Sequence, residues 1–215
     1  AYYGMKIVKE LGLPLNRRVR LIIGTDEESD WRCVDHYFEH EEMPTTGFVP
    51  DADFPIIFAE KGIADYDMVQ QTEENNNEAA YQLVSFESGR RYNMVPDFAK
   101  AHLKTDVSTE EVIQQYISYL SEAKLEGNAL VCKSAHGAEP RSGKNAGIYL
   151  ANYLKTLQLD DAEKKYVSTV AEFHDKSRGE VFGIVFEDEE SGELTINVGV
   201  MNYRPETGGR IGLNM

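Results

Sequence analysis

The chain has 215 residues, 41% of them apolar, enough for one large domain or two small ones with a real core. Its formal net charge of −15 argues against nucleic acid and against an anionic membrane surface, both of which require a Lys/Arg excess. There is no apolar run of membrane-spanning length and no basic stretch followed by an apolar core at the start. Cys33 and Cys132, far apart and in dissimilar contexts, read as free thiols of a reducing cytoplasm.

Residues 2–12 place Tyr3, Ile7, Val8 and Leu11 at helical spacing, and Gly12 with Pro14 ends the helix. The run over 17–23 reads as a buried strand and leads into Gly24-Thr25-Asp26-Glu27-Glu28. A short helix follows over 31–39, with Val34, Tyr37 and Phe38 on one face. Pro50-Asp51-Ala52-Asp53 then precedes a second apolar strand over 54–58. Composition shifts after Lys61-Gly62, and 70–78 is a polar loop rich in Gln, Glu and Asn. Beyond it the pattern predicts strands over 81–87 and 99–104, an amphipathic helix over 109–124 and a strand over 129–132. Helices are expected over 145–157 and 160–174. Strands over 181–186 and 194–201 are expected to form a hairpin with an acidic turn over 187–192. The last residues, 210–215, read as a strand cut short, and the whole as an internal piece of a longer chain. The expected fold class is α/β, with residues 1–62 as part of a larger α/β sheet and 63–215 as a second, α+β region.

Ligands in open α/β sheets lie beyond the carboxyl ends of strands, so acids gathered there suit metal or acid/base chemistry. Glu27 and Glu28 form one such cluster, Asp51 and Asp53 another. Taken alone, the first is more simply a solvated acidic loop and the second a turn acid or cap. His136 follows a strand in Lys133-Ser134-Ala135-His136-Gly137, where small neighbours keep its imidazole accessible for donation to an oxyanion. The simpler reading is a surface histidine. No G-x-S-x-G elbow accompanies Ser134, which argues against a serine hydrolase. His36 and His40 stand at i, i+4 on the short helix, a spacing compatible with metal binding, but without the H-E-x-x-H order they read as surface residues. Asn93 reads as turn chemistry.

Four motifs in order, VRLIIGTDEESD at 19–30, FVPDADFPIIFAEKG at 48–62, YNMVPD at 92–97 and KSAHGAEPRSGKNAG at 133–147, resemble the dipeptidase V branch of the di-zinc aminoacylase/carboxypeptidase-like metallopeptidases. The resemblance implies a di-zinc catalytic domain over 1–62, followed by an inserted α+β lid over 63–215 that is incomplete at its C-terminus. It implies Glu27 as general base, Glu28 and Asp51 as ligands to different zinc ions, and Asn93 and His136 as substrate-binding residues from the lid. His136 would also stabilise the oxyanion. Manganese or cobalt could replace zinc. The implied substrate is a dipeptide or short peptide, and the implied state a monomer, since the lid of this branch can take the place of a dimer partner. The family's remaining metal ligands match nothing in these residues, so the chain alone is expected to be inactive. An aminoacylase or carboxypeptidase of the same family, or a binding domain that keeps the fold without the chemistry, are the alternatives.

Overall fold

A computed structural model describes the chain except residues 28, 29, 53, 74–78, 107, 109, 112, 113, 115–123, 127 and 128. The chain divides into two compact units, Ala1–Phe58 and Ala59–Met215.

In the first unit, helix α1 spans Tyr2–Glu10 and helix α2 spans Arg32–His40. Both were expected from their apolar spacing. The expected strands over 17–23 and 54–58 are not formed: neither segment is in a sheet, and no described residue of the unit is buried. A strand interior is stable only when neighbours take up its N–H and C=O groups and cover its faces. Among the described residues of this unit there is no strand to do so. The apolar runs are therefore open to solvent, with Phe54 96% exposed and Ile23 82%.

The second unit is built on a seven-stranded antiparallel sheet. Its strands are β1 Asp65–Gln70, β2 Gln82–Ser88, β3 Phe98–Lys104, β4 Lys124–Glu126, β5 Ala129–Val131, β8 Asn197–Arg204 and β9 Gly208–Asn214. They are ordered β1-β9-β8-β2-β3-β5-β4, while β6 Glu187–Asp188 and β7 Gly192–Glu193 form a separate small ribbon. Alternation puts Ala99, Ala101 and Leu103 of β3 into one core, and a bulge in β2 between Leu83 and Ser85 turns Phe86 to the same side as Leu83. Helices α3 Ala146–Leu154 and α4 Asp161–Ala171 pack against each other and complete that core with Leu150, Leu154, Tyr166, Val167 and Val170. Tyr166 is 1% exposed, lies 5.0 Å from the Tyr203 ring and 5.8 Å from that of Phe86, and donates its hydroxyl to the Arg210 carbonyl at 3.2 Å. The ring fits because β9 has a glycine beneath it: a Cβ on Gly209 would come within 2.3 Å of Tyr166.

The expected strands over 81–87, 99–104 and 129–132 are present, as are the helices expected over 145–157 and 160–174. The helix expected over 109–124 lies largely outside the described residues. The hairpin expected between 181–186 and 194–201 is replaced. Gly183, at φ 68°, interrupts the first run after a short 3-10 turn, Glu180–Phe182, and Ile184, Val185 and Phe186 stay exposed. The hairpin partner of β8 is β9, reached by a tight turn in which the Thr207 N–H bonds to the Arg204 carbonyl, and β2 pairs with the other edge of β8. The expected strand over 210–215 is thus part of β9. It also pairs with β1, which the polar sequence Asp65-Tyr66-Asp67 had concealed. Among the described residues, no helix is long and apolar enough to cross a membrane.

Candidate active site

In the second unit the two residues expected to bind substrate are brought together. Met94 forms an antiparallel bridge with His136, and the Gly137 N–H donates to the Asn93 carbonyl at 2.6 Å. The Val95 N–H donates to the Ala135 carbonyl at 2.8 Å, and the Ser134 hydroxyl donates to the Val95 carbonyl at 2.7 Å. Segments 93–95 and 134–137 are therefore laced edge to edge. The smallness of Gly137 has a specific use here, since a Cβ at that position would sit 2.9 Å from the Asn93 carbonyl carbon and oxygen.

Two further residues hold this ribbon, and sequence reasoning missed both. Asn197, 1% exposed, donates its side-chain amide to the Tyr92 carbonyl at 2.6 Å and to the Met94 carbonyl at 2.9 Å, gripping the backbone on either side of Asn93. Asn145 accepts the Ile148 N–H as the N-cap of α3 and donates to the Val198 carbonyl at 2.8 Å, tying the helix start to β8. The Asn145 cap is local, but its bond to Val198 and both bonds of Asn197 span 53 residues or more and leave no local signature. Tyr92, beside Asn93, is fixed as well. Its hydroxyl donates to Asp67 Oδ1 at 2.7 Å, and Arg210 contacts both groups. The Arg210 guanidinium, followed by the Tyr92 hydroxyl, holds the Asp67 carboxyl below its ordinary value.

His136 is exposed and half-buried Asn93 lies beside it. His136 Nδ1 accepts the Ala138 N–H at 3.2 Å. A neutral ring accepting at Nδ1 carries its proton on Nε2. Nε2–H is thus the free donor of the ring, as hydrogen bonding to a substrate carbonyl requires.

In the first unit the consecutive acids do different things. Asp26 accepts the Cys33 N–H at 2.9 Å and the Arg32 N–H at 3.1 Å, while its own carbonyl accepts the Trp31 N–H at 3.2 Å. Hydrogen bonds from Cys33, then from Arg32, hold the Asp26 carboxyl below its usual value. Asp26 thereby caps α2 and closes the loop that carries Glu27. Glu27 itself is exposed on that loop. Glu28 and Asp53 lie outside the described residues. Asp51 is exposed, in a turn where its N–H donates to the Val49 carbonyl at 3.1 Å. Among the described residues Cys33 and Cys132 form no disulfide, and both are half-buried.

No family model matches the chain. Its whole length is similar to the protein named "Putative dipeptidase YtjP" of Bacillus subtilis, at 49% identity over 226 residues, which is 49% of that protein. It is also similar over its whole length to a "Putative dipeptidase" of Staphylococcus epidermidis, at 42% identity over 227 residues and 48% of that protein. Both relatives carry the name "Putative dipeptidase". The chain spans about half the length of the curated relatives it matches.

Proposed function

We propose that the complete protein containing this chain is a zinc-dependent dipeptidase, with residues 1–62 in its catalytic domain and 63–215 in a lid. The observation that carries this reading is the lacing of Asn93 to His136, with Nε2–H of His136 free, in a chain similar throughout to proteins named dipeptidases. Glu28 and Asp51 would each hold a metal ion. Asp51 fits, because an exposed carboxylate offers an oxygen donor of the kind zinc accepts, and manganese or cobalt accepts it too. When bound, the pair of ions would supply a water acidic enough to attack at neutral pH.

The residues of the chain divide the remaining work. Glu27 takes the proton of the attacking water and passes it to the leaving amine. His136 donates from Nε2 to the carbonyl oxygen as negative charge develops there. Asn93 orients the dipeptide or short peptide against His136, and lid closure excludes bulk water. Two cysteines outside any disulfide suit a reducing cytoplasm, and the lid reading suits a monomer.

The test is hydrolysis of a dipeptide panel by the complete protein, before and after chelation. Activity lost on chelation and restored by zinc is expected. Turnover of N-acyl amino acids or longer peptides instead of dipeptides would move the reading to an aminoacylase or carboxypeptidase. Absence of all turnover would favour a binding domain.

A further inference from the structure

The last turn of α2 has gathered side chains for which the proposed mechanism has no use. His36 and His40 project from successive turns of the helix, with ring centroids 4.6 Å apart, and Glu39 lies beside them. One ligand atom from each of the three falls within 4.8 Å of the other two, and all three residues are exposed. We propose that His36, Glu39 and His40 bind a divalent transition-metal ion at the surface of the first unit.

The donor set selects the class of ion. Two imidazoles with one carboxylate suit zinc, nickel or copper, whereas calcium and magnesium require sites made of oxygen. The i, i+4 spacing on a formed helix brings the two rings to one face before any ion arrives, so little ordering is left for binding to do. His40 Nδ1 lies 2.9 Å from the His36 carbonyl oxygen. As a donor there it fixes the ring and leaves the Nε2 lone pair for the ion, the arrangement in which a ligating histidine uses its second nitrogen for orientation.

The surroundings hold the helix in place. Asp26 caps its start, and Arg20 donates to the Tyr37 hydroxyl at 2.5 Å on its flank. The acids that follow the site are paired with arginines, Glu41 with Arg20 at 3.4 Å and Glu42 with Arg18. Glu39 is then the carboxylate that completes the set. Because the site is open, water fills the remaining coordination positions and the ion exchanges freely. The site shares no residue with the Glu28 and Asp51 centre and does not depend on the dipeptidase reading.

The experiment uses the complete, untagged, metal-depleted protein with nickel or zinc as the probe. Retention on immobilised nickel is expected for the wild type and is lost in the His36→Ala/His40→Ala double variant. Each single variant weakens zinc binding at this site by at least about tenfold, because half of a two-imidazole chelate is removed. Zinc titration should find one equivalent more in the wild type than in the double variant. Both histidines are exposed, so matching circular dichroism spectra are expected. Should the double variant fail to fold, copper broadening of the His36 and His40 ring resonances in the wild type replaces it. Equal retention and equal stoichiometry in the two proteins, or ring resonances that copper leaves sharp, would overturn the proposal.

Discussion

The amide nitrogen of Gly137 lies 2.6 Å from the carbonyl oxygen of Asn93, and that approach leaves no room for a side chain at position 137. A Cβ there would press on the backbone of Asn93 at 2.9 Å. Gly137→Ala is therefore expected to spread the two segments by a fraction of an ångström. The stability cost is about 1–3 kcal/mol, typical of overpacking. Under the proposed function kcat/KM of the complete protein should fall by ~10-fold or more, since Asn93 and His136 would then orient the substrate and small displacements of such groups are costly. Thermal denaturation together with dipeptide kinetics checks this. Wild-type kinetics would mean that the spacing of Asn93 and His136 is immaterial.

Asn197 acts on the same segment from β8. Asn197→Ala leaves the carbonyls of Tyr92 and Met94 without their donor, at a cost of about 2–3 kcal/mol. As a positioning residue it should raise KM more than a purely structural defect would, and Asn197→Gln should recover part of the stability without restoring KM. Denaturant unfolding and a KM-against-kcat comparison decide. Equal KM values in all three proteins would reduce Asn197 to a packing role.

Much of this arrangement could be read along the sequence, and the failures have physical causes. Strand β2 announces itself by alternation, interrupted by its bulge, and helix α3 is read from its run of residues. The run over 17–23 is equally apolar, yet composition records only what a segment could bury, and the described residues of the first unit offer it no partner strand. Strand β1 was hidden for the opposite reason, since its polar residues are held by pairing with β9. His136 drew attention through its small neighbours after a strand, and the substrate-binding roles of Asn93 and His136 are implied only by the motif resemblance. The roles of Asn197 and Gly137 depend on backbone that is distant in sequence. Asp26 adjoins Glu27 in the same acidic run, and its bonds to Arg32 and Cys33 set it apart from its neighbour.

Asp26→Ala should accordingly behave differently from Glu27→Gln. It removes the cap of α2 and frees the loop, so helix content and melting temperature should fall, and activity with them by ~10-fold. The low folded pKa of Asp26 means that its contribution is present above the unfolded value, near ~3.9, and is lost as pH falls through the folded one. The wild-type advantage over Asp26→Ala should therefore vanish on acidification. An advantage that persisted at the lowest pH would contradict the capping role.

Glu163, on α4, is 1% exposed, and burial pushes its carboxyl up to about 7. Between an unfolded value near ~4.3 and about 7, the folded chain keeps a proton that the unfolded chain releases, so stability falls as pH rises through that window. Glu163→Gln should remove this slope. The variant is expected to be more stable than wild type by about 1–3 kcal/mol above pH ~8, with the difference shrinking below pH ~4. Urea unfolding across pH checks the sign. A variant less stable at high pH would show that the carboxylate is paired when charged.

The most direct test of the dipeptidase account is a single comparison in the complete protein, with zinc content and kcat measured on the same preparations of wild type, Glu27→Gln and His136→Ala. The account predicts unchanged zinc in both variants, with kcat lowered by at least ~10³-fold for Glu27→Gln and by ~10²–10³-fold for His136→Ala. Loss of zinc from either variant would make that residue a ligand. Near-normal turnover in Glu27→Gln would contradict the account at its centre.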